Sequence, residues 1–234
     1  MSARPFVVVR PEPGNRATLA AAEALGLEAA GFPLFSVEPV AWNADGLDAC
    51  DALLLGSANA LRHGGEGLRG LSTLPVYAVG EETAAAARAA GFEVAHTGRG
   101  GLQSCLAPAQ RDGRRHALRL AGEAHVALAP VPGLNVTTRV VYRVRPLPLP
   151  ADAARLFSAG AVVALHSGEA AVHFAREVDR LGLRRQEIAL ACLAPRVADA
   201  AGPGWRQVAV APEPRDVSLL AMARELCQTP RQGS

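Results

Sequence analysis

The stretch DALLLGSANAL, residues 51–61, passes from a four-residue apolar run through a turn containing a serine into an alanine-rich helix start. AVVALHSGEAA at 161–171 follows the same plan. Each is then followed in the same order by two further matched pieces. PVYAVGEETAAAA (75–87) pairs with EIALACLAPRVADAA (187–201), and EVAHTGRGGLQSCL (93–106) with QVAVAPEPRDVSLL (207–220), at an offset of about 110 to 114 positions. Chance similarity between alanine-rich helices explains one match but not an ordered series of three. The chain is therefore read as a duplicated α/β protein, because short apolar runs alternating with helical stretches favour a parallel sheet covered by helices.

Working outward, strands are expected at 6–10, 52–55, 76–79, 93–95, 117–121, 161–165, 188–191 and 207–210. Helices are expected at 15–25, 58–63, 82–90, 101–108, 169–181, 195–201 and 216–227. Two segments fit neither copy. GFPLFSVEPV (31–40) and VTTRVVYRV (136–144) alternate apolar and polar residues as exposed antiparallel strands do. If they pair, the N-terminal unit returns to the C-terminal half. A simple tandem arrangement fits the residues equally well.

A length of 234 residues suits two units, each able to bury a core. Net charge is only +2, and the densest basic group, Arg111, Arg114, Arg115 and Arg119, reads as a solvated turn before a strand, which argues against nucleic acid. Every basic residue is arginine, which excludes a Schiff-base, pyridoxal-phosphate or Walker A lysine. Cys50, Cys105, Cys192 and Cys227 are widely spaced and read as reduced thiols, mostly buried. The first apolar run ends at Arg10, too short for a signal peptide or a membrane span, so a cytoplasmic protein with no membrane contact is expected.

In open parallel sheets, ligands bind outside the carboxyl ends of the strands. That selects Arg10, Ser57, Gly80 to Thr83, Gly122, Ser167 and Pro195 to Val197, where helix-start amides, hydroxyls and arginines can hold carboxylates. Ser57, Thr83 and Ser167 also suit plain helix capping. Neither serine sits in a G-x-S-x-G elbow, Gly98, Gly100 and Gly101 do not make a dinucleotide loop, and the six histidines lack metal-ligand spacing. A small molecule held between two lobes is expected, with no metal or cofactor.

Together VVVRPEPGN (7–15), FPLFSVEP (32–39), DALLLGSANAL (51–61), LPVYAVGEETAAAARAAGF (74–92), LRLAGE (118–123) and VVYR (140–143) resemble the uroporphyrinogen-III synthase family over the whole chain. The resemblance implies two Rossmann-like or flavodoxin-like lobes with parallel sheets joined by a two-stranded antiparallel ladder. One lobe would be 1–35 with 146–234, and the other 36–145. It implies a lyase that cyclises hydroxymethylbilane, a linear tetrapyrrole rich in carboxylates, with loss of water and inversion of ring D. It further implies a monomer without cofactor, in transient contact with hydroxymethylbilane synthase. Tyr142 becomes the expected catalytic acid, and Arg10, Ser57, Asn59, Thr83, Gly122, Ser167 and Arg196 the expected substrate-binding residues.

The sequence departs from the family pattern at three places. Gly56 precedes Ser57 where the family has Thr-Ser, Val197 stands where threonine is expected, and 124–133 carries two prolines in place of a helix, with His125 near a usual basic position. A non-enzymatic two-lobed sensor or binding protein is the competing reading.

Overall fold

Strands buried on both faces must be apolar along their whole length, and the central strands obey this. The computed structural model describes residues 4–158 and 160–228. Its strands are β1 (Phe6–Val8), β2 (Ala29–Gly31), β3 (Phe35–Pro39), β4 (Ala52–Leu55), β5 (Val76–Val79), β6 (Val94–Gly98), β7 (His116–Gly122), β8 (Asn135–Pro146), β9 (Val162–Leu165), β10 (Ala189–Cys192) and β11 (Gln207–Val210). The helices are α1 (Gly14–Ala24), α2 (Asn59–His63), α3 (Gly80–Ala89), α4 (Leu106–Arg111), α5 (Ala154–Ser158), α6 (Gly168–Arg180), α7 (Pro195–Ala201) and α8 (Asp216–Gln228). Among them β1, β4, β9 and β10 are buried throughout.

The chain divides into two compact units. One takes the chain up to Ser36 and from Pro146 onward, the other Val37–Arg145. The first unit's sheet runs β2-β1-β9-β10-β11 with every neighbour parallel, the 2-1-3-4-5 order of flavodoxin-like folds. In the second unit the parallel order is β8-β7-β4-β5-β6, which counted from β4 is the 3-2-1-4-5 order of a Rossmann fold. The two layouts match strand for strand, with β9, β10 and β11 standing where β4, β5 and β6 stand. Each sheet is covered on both faces. Phe157, Phe174 and Trp205 lead one core of the first unit, and Leu219, Leu220 and Leu226 of α8 pack on its other face. Leu53 and Leu118 lie on one face of the second sheet, and Leu54, Cys105 and Leu106 on the other.

β3 joins the second sheet as an edge on β8. Val40 N–H donates to Val141 C=O, Leu147 N–H to Leu34 C=O, and Arg143 pairs with Glu38 at 3.0 Å. The two residue numbers add to the same total in all three, as antiparallel pairing requires. The two crossover segments are thus partners, yet they form no separate ribbon, because the first part of β8 runs parallel to β7. Residues 31–40 also differ from the single exposed strand expected. Pro33, which has no N–H to give a ladder, separates β2, parallel to β1, from β3, and β3 is largely half-buried.

The helix expected at 101–108 begins as a 3-10 turn over Leu102–Cys105 and becomes α4 only at Leu106, with Pro108 in its first turn, where proline is tolerated. Cys105, Cys192 and Cys227 are buried free thiols, and Cys50 is half-buried. Among the described residues, no helix is long and apolar enough to cross a membrane, and no group of three or more His, Cys, Asp or Glu is placed to hold a metal ion.

Candidate functional site

In each sheet the strand order reverses at one boundary, so connections leave to opposite sides and a crevice opens outside the carboxyl ends there. In the first unit that boundary is β1/β9, and the residues just beyond these strands are Arg10, His166 and Ser167. Asn15 Nδ2 donates to the carbonyls of Val8 (2.9 Å) and Arg10 (3.1 Å), fixing the turn from β1 into α1. The Arg10 guanidinium lies across the start of α1, where a Cβ on Gly14 would stand 2.4 Å from its Nε. Glycine there is a condition of that placement.

Arg10 is already engaged. Its Nη1 donates to Asp216 Oδ2 at 2.9 Å and to Thr18 Oγ1 at 3.3 Å, while Thr18 Oγ1 donates to the same carboxylate oxygen at 2.9 Å. His166 Nε2 donates to the other oxygen of Asp216 at 3.0 Å, and its buried Nδ1 has no hydrogen-bond partner among the described residues. One carboxylate at the start of α8 therefore ties the ends of β1 and β9 together. The His166 hydrogen bond, aided by the charge of His166, by Thr18 and by Arg10, outweighs partial burial and holds Asp216 at about 2. Ser167 is the N-cap of α6, its Oγ accepting from Ala170 N–H at 3.1 Å. Arg196 stands exposed on the first turn of α7, beyond β10.

In the second unit the reversal falls between β4 and β7. Ser57 Oγ accepts from Asn59 N–H at 3.2 Å, and Asn59 Oδ1 accepts from Arg62 at 3.1 Å. At the end of β7, Gly122 lies under the ring of Tyr142. A Cβ at Gly122 would stand 2.7 Å from Cε2 and Cζ and 3.0 Å from the phenol oxygen. A register shift between Ala121 and Gly122 sets Tyr142 opposite Gly122 in the β7–β8 ladder. The His63 ring centroid lies 6.4 Å from that of Tyr142, and burial, with Arg62 beside it, holds the His63 imidazole below its ordinary value. His125 Nδ1 donates to the Gly122 carbonyl at 2.7 Å.

The structure thus brings Arg10 and Ser167 to one edge, and Ser57, Asn59, Gly122 and Tyr142 to the other. Thr83, beyond β5, is 5% exposed, and Val197, its twin in the first unit, is a core residue at 1%. The sequence reading did not select Asp216, His166 or Thr18. His166 stands in the repeat where Gly56 stands, so its position was marked, but its partner is remote in sequence. The basic group needs correction at Arg119. It lies within β7 at 7% exposure rather than on a solvated turn, because residues 123–134 fold back over it and Val126 C=O accepts from its Nη1 at 2.9 Å.

Doubled parallel sheets with ligand-type groups at their switch points define a two-unit α/β protein of the small-molecule-binding kind. The sequence profile of the family described as Uroporphyrinogen-III synthase HemD matches residues 17–221, which spans both units. The chain belongs to the uroporphyrinogen-III synthase family, enzymes of tetrapyrrole biosynthesis. Among solved structures it is similar to the uroporphyrinogen-III synthetase of Helicobacter pylori 26695, at 16% identity and a TM-score of 0.63 over 95% of this chain and 99% of that one. A mutant uroporphyrinogen III synthase from the extremely thermophilic bacterium Thermus thermophilus is similar at 20% identity and a TM-score of 0.51 over 95% and 98%. At these identities the likeness is one of fold. No curated protein matches the sequence significantly.

Proposed function

We propose that the protein is a lyase that converts hydroxymethylbilane to uroporphyrinogen III, removing water and inverting ring D. The profile match across both units carries this reading. Departure of the ring A hydroxyl leaves a delocalised cation, and ring D attacks it through its substituted carbon to give a spiro intermediate. The bond from that carbon to the ring C bridge then breaks, and the freed cationic bridge carbon bonds to the unsubstituted α-carbon of ring D, which inverts the ring. Tyr142 gives the proton that leaves with the hydroxyl as water, and the proton released when the macrocycle regains its pyrroles restores the phenol. Closure without inversion is the easier path in solution, so most of the protein's task is to hold one conformer of the chain.

Substrate carboxylates are received by amides at helix starts and by arginines at the two edges, with Ser57, Asn59, Thr83, Gly122, Ser167 and Arg196 shaping those contacts. Arg10 serves through the N–H groups that Asp216 leaves available. We place the enzyme in the cytoplasm as a monomer, taking its unstable substrate by transient contact with hydroxymethylbilane synthase. Complementation tests the reading. Expression in a bacterium deleted for its own synthase restores growth without added haem, and failure of well-expressed, folded protein to do so counts against it.

A further inference from the structure

Because the two units share one layout, each strand position has a twin. The ladder sets Arg119 opposite Leu54 and Val8 opposite Ala164, while Leu54 and Ala164 hold the same place in the repeated stretches 51–61 and 161–171. Arg119 is therefore the twin of Val8. Val8 is fully buried in the core that α1 and α8 cover. In the second unit, no helix follows β7. Residues 123–134 run as an irregular strap, with Leu128 and Val131 packed where α1 packs in the first unit. Beneath this strap a core valine has been replaced by an arginine.

A buried guanidinium is costly unless its N–H groups and its charge are both matched. Val126 C=O accepts from Nη1, while among the described residues the buried Nε has no hydrogen-bond partner and no carboxylate forms an ion pair with Arg119. Burial pushes the guanidinium below its ordinary value, opposed by the phenol of Tyr142, which lies within electrostatic reach. For packing alone, the valine of the twin position would serve better.

We propose that Arg119 is a substrate-anchoring residue: a carboxylate of the linear tetrapyrrole displaces the Val126 carbonyl from its guanidinium beneath the strap. This inference deepens the functional reading and rests on it. The strap is held by few bonds that a ligand must break. Gln103 exchanges two hydrogen bonds with Ala129 at 2.8 and 3.2 Å, Gln110 donates to Pro132 C=O at 3.3 Å, and His125 reaches Gly122. Val126 itself is 84% exposed. Lifting this segment opens the arginine fork, whose geometry fits a carboxylate in two parallel hydrogen bonds.

Arg119→Leu and Arg119→Lys test this, with thermal melts, kinetics on enzymatically made hydroxymethylbilane, and fluorescence titration with uroporphyrin III, an octacarboxylate, at low and high salt. Arg119→Leu should melt at or above the wild-type temperature, as a buried charge without a counter-ion predicts. Its KM and its uroporphyrin dissociation constant should both rise about tenfold to a hundredfold, the range for a lost charge-assisted bond, with less salt dependence. Arg119→Lys should recover part of the loss. Unchanged KM and porphyrin affinity in a folded Arg119→Leu would overturn the proposal, as would wild-type affinity in Arg119→Lys combined with a much lower melting temperature in Arg119→Leu. Should wild-type protein form no type III product while Arg119→Leu still loses porphyrin affinity, the anion site stands and the catalytic reading falls.

Discussion

Asp216 accepts from Arg10, Thr18 and His166 at once, and its lowered pKa shows what that arrangement does to stability. A carboxyl held at about 2 against an ordinary 3.8 stabilises the fold in its ionised form. The contribution is complete above about pH 4 and is lost as pH falls toward 2. Asp216→Asn should therefore unfold in less urea than wild type at pH 7, by about 1 kcal/mol given the partial exposure of the pair. The gap should close between pH 4 and 2, and a gap that persists at pH 2 would show that charge is not its source. Catalysis divides differently. Tyr142→Phe should lower kcat about a hundredfold, the usual worth of general acid help. Ser57→Ala and Ser167→Ala each remove one neutral hydrogen bond and should cost roughly twofold to tenfold. Equal losses at all three positions would remove Tyr142 as the acid. Arg10 and Tyr142 could be proposed from sequence because strand ends and a family motif marked them. The partner that holds Arg10 could not, since Asp216 lies 206 positions away and reads as an ordinary acidic helix start.

The β7–strap–β8 element shows how local sequence sets the site. Gly122 allows the Tyr142 ring to lie against the strand end, so Gly122→Ala forces the ring away from contacts of 2.7 Å. We expect this variant to lose kcat nearly as fully as Tyr142→Phe while its melting temperature falls only by the few degrees typical of modest overpacking. Stopped-flow or discontinuous product assays alongside calorimetry check this, and wild-type kcat would contradict the assignment of that ring. At this scale the repeated strand-turn-helix units were plain in the sequence, because apolar runs such as ALLL and VVAL admit little else. The strap was legible only as a missing helix: Pro130 and Pro132 forbid one, but what they place over Arg119 depends on packing against β7. Likewise β2, three small residues with no alternation, carried no period to detect.

For the whole molecule, the duplicated layout leads us to expect catalytic effort spread over many contacts. Two sheets each present a switch-point edge, one with Arg10 and Ser167 and one with Tyr142 over Gly122. Among the described residues neither edge pairs a nucleophile with a base, which fits the proposal of many contacts to a flexible polycarboxylate with Tyr142 as the donor for its leaving hydroxyl. Product isomer is the property that such a scaffold controls. The most direct measurement is the ratio of type III to type I uroporphyrin when metal-free, chelator-treated protein is coupled to enzymatic production of hydroxymethylbilane. Type III should become the main product in proportion to added protein. A mixture that remains type I at every protein concentration, with the bilane closing no faster than in buffer, would contradict it.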